Sequence, residues 1–282
     1  MIVAACGGTV AHGPLMALPP TGLLLLDLRS GVPLLSIAVG SDPVAVTLSE
    51  DGRVAYIADS APGDVYAVEV PSGRVRWKAH LGGAPFGLLV HRDRLYVSLF
   101  AAAAIVELNP SDGGLVARDE TLTDPATLAV DADGQVVAAT GNAFGVALAG
   151  GGLWTADYRS ATLVHGDAAP IPLPLPVHPF WLASGPGGTL LIAAEGDSED
   201  TDPGAVFSYD PMTSSFKTLA RPRDPDQVVA WGTDVFVAAH GDHEVLRIAG
   251  GPIVAWAKGA PAVALAPDSQ LNLLVVAVNG HE

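Results

Sequence analysis

The chain has a single cysteine, Cys6, among its 282 residues. No internal disulfide can form, so the fold must rest on packing and backbone pairing. A lone thiol ordinarily points to a reducing compartment, but a fold closed by strand pairing needs no disulfide, and the count therefore does not decide the compartment. Basic residues are also few: 14 Lys and Arg stand against 30 Asp and Glu, a formal net charge of -16. They are scattered, with no basic stripe to meet a phosphate backbone, which argues against nucleic acid as a partner. The same charge repels anionic lipid and welcomes cations. No apolar run reaches the roughly 18 residues that a membrane-spanning helix needs, so no transmembrane segment is expected. Aromatic residues make up only 6% of the chain. Packing must then come from Val, Leu, Ile and Ala, which suit pleated, half-buried surfaces. No Gly-x-Ser-x-Gly elbow, phosphate-binding glycine loop or Cys-x-x-Cys occurs, which removes three common routes to catalysis.

What the chain does have is a repeated clause. A proline opens an apolar stretch, a small or acidic turn follows, and a second apolar stretch ends in a polar residue. The clause runs from Pro43 to Asp59 and returns at Pro85, Pro125, Pro179, Pro225 and Pro261. A repeat of roughly 40 residues built from short strands indicates an all-β propeller, because each sheet of about four strands must be covered by its neighbours. Strands are named A to D from the axis outward. Proline, which has no N–H to donate, is tolerated at the first residue of strand A. Turns such as Asp51-Gly52, Asp133-Gly134 and Gly187-Gly188 are hairpin signals between A and B. Arg74–His80 and Ser215–Leu219 read as D strands.

The chain does not begin at a strand A. Leu23–Leu28 reads as a C strand and Val32–Val39 as its D strand, whereas Pro261–Val278 supplies A and B. One blade is therefore expected to be shared, with Leu271–Val278 pairing with Leu23–Leu28 to close a single antiparallel ring over 22–282. Six blades are expected, with a long fourth one. The interval from Pro125 to Pro179 holds a second A–B-like clause, Phe144–Asp157, so a seven-bladed ring is the alternative. Pro170–Pro176, with its alternating prolines, is expected to be an outer edge strand or rim loop rather than a peptide ligand. The five tryptophans sit in apolar strands and read as inter-blade packing.

Residues 1–21 form an N-terminal segment or tether. Val3-Ala4-Ala5-Cys6 resembles a bacterial lipobox, which makes Cys6 a candidate lipid anchor and the propeller extracytoplasmic, periplasmic or cell-surface. A basic region and an apolar stretch should precede such a box. Neither is present. Either the true start lies upstream, or Ile2–Ala5 is an inner strand; with Met1 as the true start the protein is cytoplasmic.

In a propeller the D–A and B–C connections gather on one face, around the mouth of the axial channel, where loops carry ligand chemistry on rigid blades. The residues before the A-strand prolines include Asp42, Asp124, His178 and Asp224, and Asp226 follows one of them. They are candidates for the binding face, although Asp before Pro also starts turns locally. The B–C connections include Glu195–Asp202, His240–Glu244 and Asn279–Glu282. Five carboxylates in the first of these repel one another unless they stay solvated or meet a cation. Glu195, Asp197, His240 and Asp242 are the candidate ligands for a divalent cation: carboxylates alone suit Ca²⁺ or Mg²⁺, and an added imidazole suits Zn²⁺. The spacing of His240, Asp242 and His243 is not a recognised metal motif.

Pro85-Phe86-Gly87, Leu95-Tyr96-Val97-Ser98 and Ile105-Val106-Glu107-Leu108-Asn109 together resemble the YVTN-type propeller repeat, and looser copies cover most of the chain. The resemblance implies architecture. Relatives include surface-layer proteins, lactonase-like enzymes and a streptogramin lyase. The sequence also resembles NHL and SMP-30-type six-bladed propellers. An SMP-30-like lactonase would need a central Glu, Asn and Asp to hold one divalent cation, for which Glu195, Asn142 and Asp157 are available. A lyase-like site would need a histidine base, for which His178 or His240 could serve. The function expected is a scaffold that binds a protein or small-molecule ligand at the propeller face, with a metal-dependent lactonase or lyase as the alternative.

Overall fold

The structure is a computed structural model and describes residues 21–197, 202–248, 250–268 and 270–280. Cys6 and the Ile2–Ala5 alternative lie outside these residues, as do Glu199, Asp200, His281 and Glu282. Six four-stranded antiparallel blades form a ring, each in the order A-B-C-D. Blade 1 is Pro43–Leu48, Val54–Asp59, Asp64–Glu69 and Val75–His80. Blade 2 runs from Pro85–His91 to Leu115–Asp119, blade 3 from Ala143–Ala149 to Ile171–Pro172, and blade 4 from His178–Ser184 to Ser215–Ala220. Blade 5 runs from Pro225–Trp231 to Val254–Trp256. Blade 6 joins Ala262–Asp268 and Leu273–Asn279 to Thr21–Asp27 and Pro33–Ile37.

The termini close the ring as the sequence pattern requires. Leu23 pairs with Ala277 and Leu25 with Val275 across the seam. Leu23 to Leu26 are fully buried, and each contributes roughly 1.5–3 kcal/mol over an exposed side chain. Closure leaves the inner A strands facing the channel and the short outer strands facing solvent, so no long sheet edge is open to other chains.

The expected long fourth blade is instead two sheets. Phe144 opens a complete blade 3, and the clause from Pro125 forms a separate two-stranded sheet, Leu128–Val130 with Val136–Ala138. It packs between the inner strands of blades 2 and 3. The physical reason is length: too few residues separate Ala138 from Ala143 to add a C and a D strand. A cavity of about 300 Å³, lined by His91, Tyr96, Glu107, Arg118 and Gln135 among others, lies beside this sheet.

Five of the ring's contacts are full apolar cores between neighbouring blades. At the short sheet the core is small: Ala126, Ala139 and Val146, with half-buried Phe86, Phe100 and Phe144 packed against them. Gly87 is required at this contact, since a Cβ there would meet the carbonyl oxygen of Ala126 at 2.4 Å. Its N–H donates to Ser98 Oγ, and that hydroxyl donates to the Ala126 carbonyl. Pro170–Pro176 supplies the outer strand Ile171–Pro172 of blade 3, and the tryptophans pack in or against the inter-blade cores.

Candidate functional site at the channel mouth

Each A strand carries an irregularity just after its start. The register slips between Pro43 and Ala45, Pro85 and Leu88, Ala143 and Gly145, Pro179 and Trp181, Pro225 and Gln227, and Ala262 and Ala264. A bulge leaves an extra residue outside the ladder and re-aims its side chain. The extra residues are Val44, Phe86 (with Gly87), Phe144, Phe180, Asp226 and Val263. One backbone device thus places chemically different side chains at one level of the ring.

On one side of the ring these side chains are aromatic. Phe144 and Phe180 lie with ring centroids 5.4 Å apart, and Phe86 is 6.1 Å from Phe180 and 6.2 Å from Phe144. Phe100 stacks on Phe144 at 5.9 Å, and Tyr158 meets Phe144 edge-on at 5.5 Å. Phe86, Phe100 and Phe144 flank the short sheet, so the cluster fills volume that a complete blade would have supplied.

On the other side the groups are polar. Asp224, Asp226 and His240 present ligand atoms that all lie within 4.8 Å of one another, the one such group of three among the described residues. His240 Nδ1 is 3.1 Å from Asp224 Oδ2 and 3.9 Å from Asp226 Oδ2. Its Nε2 is 3.1 Å from the carbonyl oxygen of Asn279. Both partners are acceptors, so a ring that satisfies both carries a proton on each nitrogen. The network continues into blade 1, where Asn279 Nδ2 donates to Asp42 Oδ1 at 2.8 Å and Asp42 Oδ2 accepts the Ala61 N–H. Asp224 is buried, at 7% exposure, with φ of 41°. That strained conformation belongs to the D–A connection rather than to the cluster, because Ala84 and Asp124 share it at φ of 54° and 45°.

The other candidates fall elsewhere. His178 Nδ1 faces the Tyr158 carbonyl at 2.9 Å, its Nε2 is 3.3 Å from Asp197 Oδ1, and its ring stacks on Tyr158 at 5.0 Å. The Tyr158 hydroxyl donates to Glu195 Oε2 at 2.8 Å. Glu195, Asp197 and His178 therefore gather on the aromatic side, apart from His240. Asp242 turns to Arg223, accepting from its backbone N–H and its Nε at 2.9 and 2.8 Å. Beside it, burial and then the Asp242 charge push the Glu244 carboxyl above its ordinary range. Asp124 is exposed at the short sheet. Asp157 caps the turn after its own strand by accepting the Ser160 N–H. The four expected cation ligands thus do not form one group. Asp226, expected only at the binding face, joins His240 instead.

Sequence reading missed Tyr158 and the phenylalanine cluster. The available signal was the aromatic residue directly after the first residue of strand A in Pro85-Phe86, Ala143-Phe144 and Pro179-Phe180.

No protein-family model matches the chain, and no curated protein sequence matches it. Solved structures do. The periplasmic gluconolactonase PpgL of Pseudomonas aeruginosa is 13% identical with a TM-score of 0.62, over 92% of this chain and 96% of that one. BamB from Moraxella catarrhalis is 17% identical with a TM-score of 0.53, over 93% and 92%. The hydrazine synthase of Kuenenia stuttgartiensis is 11% identical with a TM-score of 0.52, over 88% and 99%. At these identities the likeness concerns the propeller fold alone, a scaffold that hosts unrelated activities.

Proposed function

We propose that this propeller binds a small-molecule ligand at the channel mouth, with Asp224, Asp226 and His240 as its polar anchor. The observation that carries the reading is the convergence of these three groups within 4.8 Å on two adjoining connections of blade 5. Packing does not call for a carboxylate at Asp226: the equivalent bulge residues of blades 1 and 6 are valines. The negative charge of the chain favours a cationic group or a metal ion at this anchor.

A second reading has its own support. Two carboxylates and an imidazole fit a divalent cation, with Zn²⁺ favoured over Ca²⁺ or Mg²⁺ by the nitrogen donor. Three protein donors leave a coordination position open. A cation held there would polarise an ester carbonyl, the chemistry of lactone opening. His240 would first have to give up its Nδ1 contact with Asp224. An extracytoplasmic location and a lipid anchor at Cys6 complete the proposal; the periplasmic gluconolactonase neighbour supports the location, and the lipobox-like residues support the anchor.

The test is calorimetric titration with Zn²⁺, Mg²⁺ and Ca²⁺, combined with a lactone hydrolysis screen, on the wild type and on Asp226→Asn and His240→Ala. Cation binding lost in both variants supports the anchor. Lactone turnover that follows the same variants selects the catalytic reading. Heats unchanged by both substitutions reject the anchor.

A further inference from the structure

We propose that the axial channel below the mouth is a second ligand pocket, for an uncharged molecule that carries a carbonyl oxygen. Every inner strand runs from the mouth toward the opposite face, so residues that follow the bulges lie deeper in the channel. There a cavity of about 350 Å³ is bounded by Val46, Leu48, Leu88, Trp181, Gln227 and Leu265, among others. The volume is at the lower end of the range of small-molecule sites. No lining residue is ionisable. A charged ligand would lose its hydration there without gaining a counter-charge.

Gln227 supplies the specific contact. It is 4% exposed. Its Oε1 accepts the backbone N–H of Leu265 across the interface between blades 5 and 6. A backbone N–H can only donate, so the carboxamide is held with oxygen toward Leu265 and its amino group turned away. That amino group has no hydrogen-bond partner among the described residues. Since no buried side-chain nitrogen or oxygen among the described residues lacks a partner, it opens onto the channel that Gln227 lines. The residues that resume the ladder after the bulge in the other blades are Ala45, Leu88, Gly145, Trp181 and Ala264. At this level the other blades carry Ala, Leu, Gly or Trp, and blade 5 alone places a carboxamide there, with the Trp181 indole N–H and the Thr47 hydroxyl as the other side-chain donors of the lining. A purely apolar guest would leave the donor unmade, whereas a carbonyl oxygen satisfies it.

The experiment is saturation-transfer NMR with caprolactam and with hexanoate, a carboxylate with the same number of carbons, in the presence of EDTA so that neither a metal nor an ammonium group engages the mouth. Caprolactam is expected to receive magnetisation from the wild type and hexanoate to receive none. Gln227→Glu keeps the acceptor for Leu265 and removes the donor, and should weaken caprolactam binding at least about tenfold, or about 1.4 kcal/mol. A second measurement needs no variant: cross-peaks from the caprolactam ring to the Trp181 indole are expected. Equal transfer to both compounds, binding unchanged in Gln227→Glu, cross-peaks to other sites only, or no transfer at about 20 mM ligand would overturn the pocket and leave a channel that holds water.

Discussion

Phe180 and Asp226 occupy the same bulge on neighbouring blades, yet one belongs to an aromatic cluster and the other to a carboxylate–imidazole network. The difference follows the completeness of the ring. Near the short sheet the inter-blade core is small, and Phe86, Phe100, Phe144 and Phe180 fill space. Across the channel, blade 5 meets its neighbours on both sides through full apolar cores, so its bulge residue has no gap to fill. The aromatic half fills the space beside the short sheet, and the polar half carries the proposed anchor.

Removing residues 261–282 should erase the comparison altogether. The deletion takes strands A and B from blade 6 and leaves Thr21–Asp27 without its partner Leu273–Asn279. Exposed edges on two blades should cause aggregation rather than a cooperative melt, which light scattering during thermal denaturation would show.

Phe144→Ala attacks the aromatic half alone. Phe144 contacts Phe86, Phe100, Tyr158 and Phe180. Truncation should cost about 3 kcal/mol in urea denaturation, with cation binding at the mouth retained. Asp226→Asn attacks the polar half and should do the reverse. It is expected to leave the unliganded stability within about 1 kcal/mol and to abolish the rise in melting temperature that a bound cation gives the folded state.

The smallest effect lies away from both halves. Hydrogen bonds from Arg74, then Arg76, hold the Glu69 carboxyl down to about 2. A carboxyl whose folded value lies below its unfolded one stabilises the protein above the unfolded value, and that contribution is lost as pH falls through the folded value. Glu69→Gln should therefore flatten the decline in stability between about pH 4.5 and about pH 2, and lower stability only modestly at neutral pH, because its partners Arg74 and Arg76 are largely exposed and water screens the pairs.

The sequence made the ring legible because a propeller repeats its grammar. Proline at strand A, acidic turns, and split strands at the two ends predicted the blades and the seam between Leu23–Leu28 and Leu271–Val278. The short sheet was hidden because Pro125 and Phe144 each begin a credible clause, and only the spacing between them says that one lacks outer strands. The mouth was legible as a face and not as a set of partners. Asp224 and His240 were visible as connection residues and meet through the pairing of their connections, but Asp226 joins them through the bulge, a tertiary feature with no local sequence mark. Asp242 looked equivalent to its neighbours until Arg223 was seen to hold it.

The central claim is that the polar half, not the aromatic half, engages the ligand. The most direct test follows the imidazole resonances of the 8 histidines by NMR while Zn²⁺ is added. The account predicts that His240 shifts first and that His178, between Tyr158 and Asp197, does not move, with the response lost in Asp226→Asn. A leading shift at His178, or a His240 shift that survives Asp226→Asn, would contradict it.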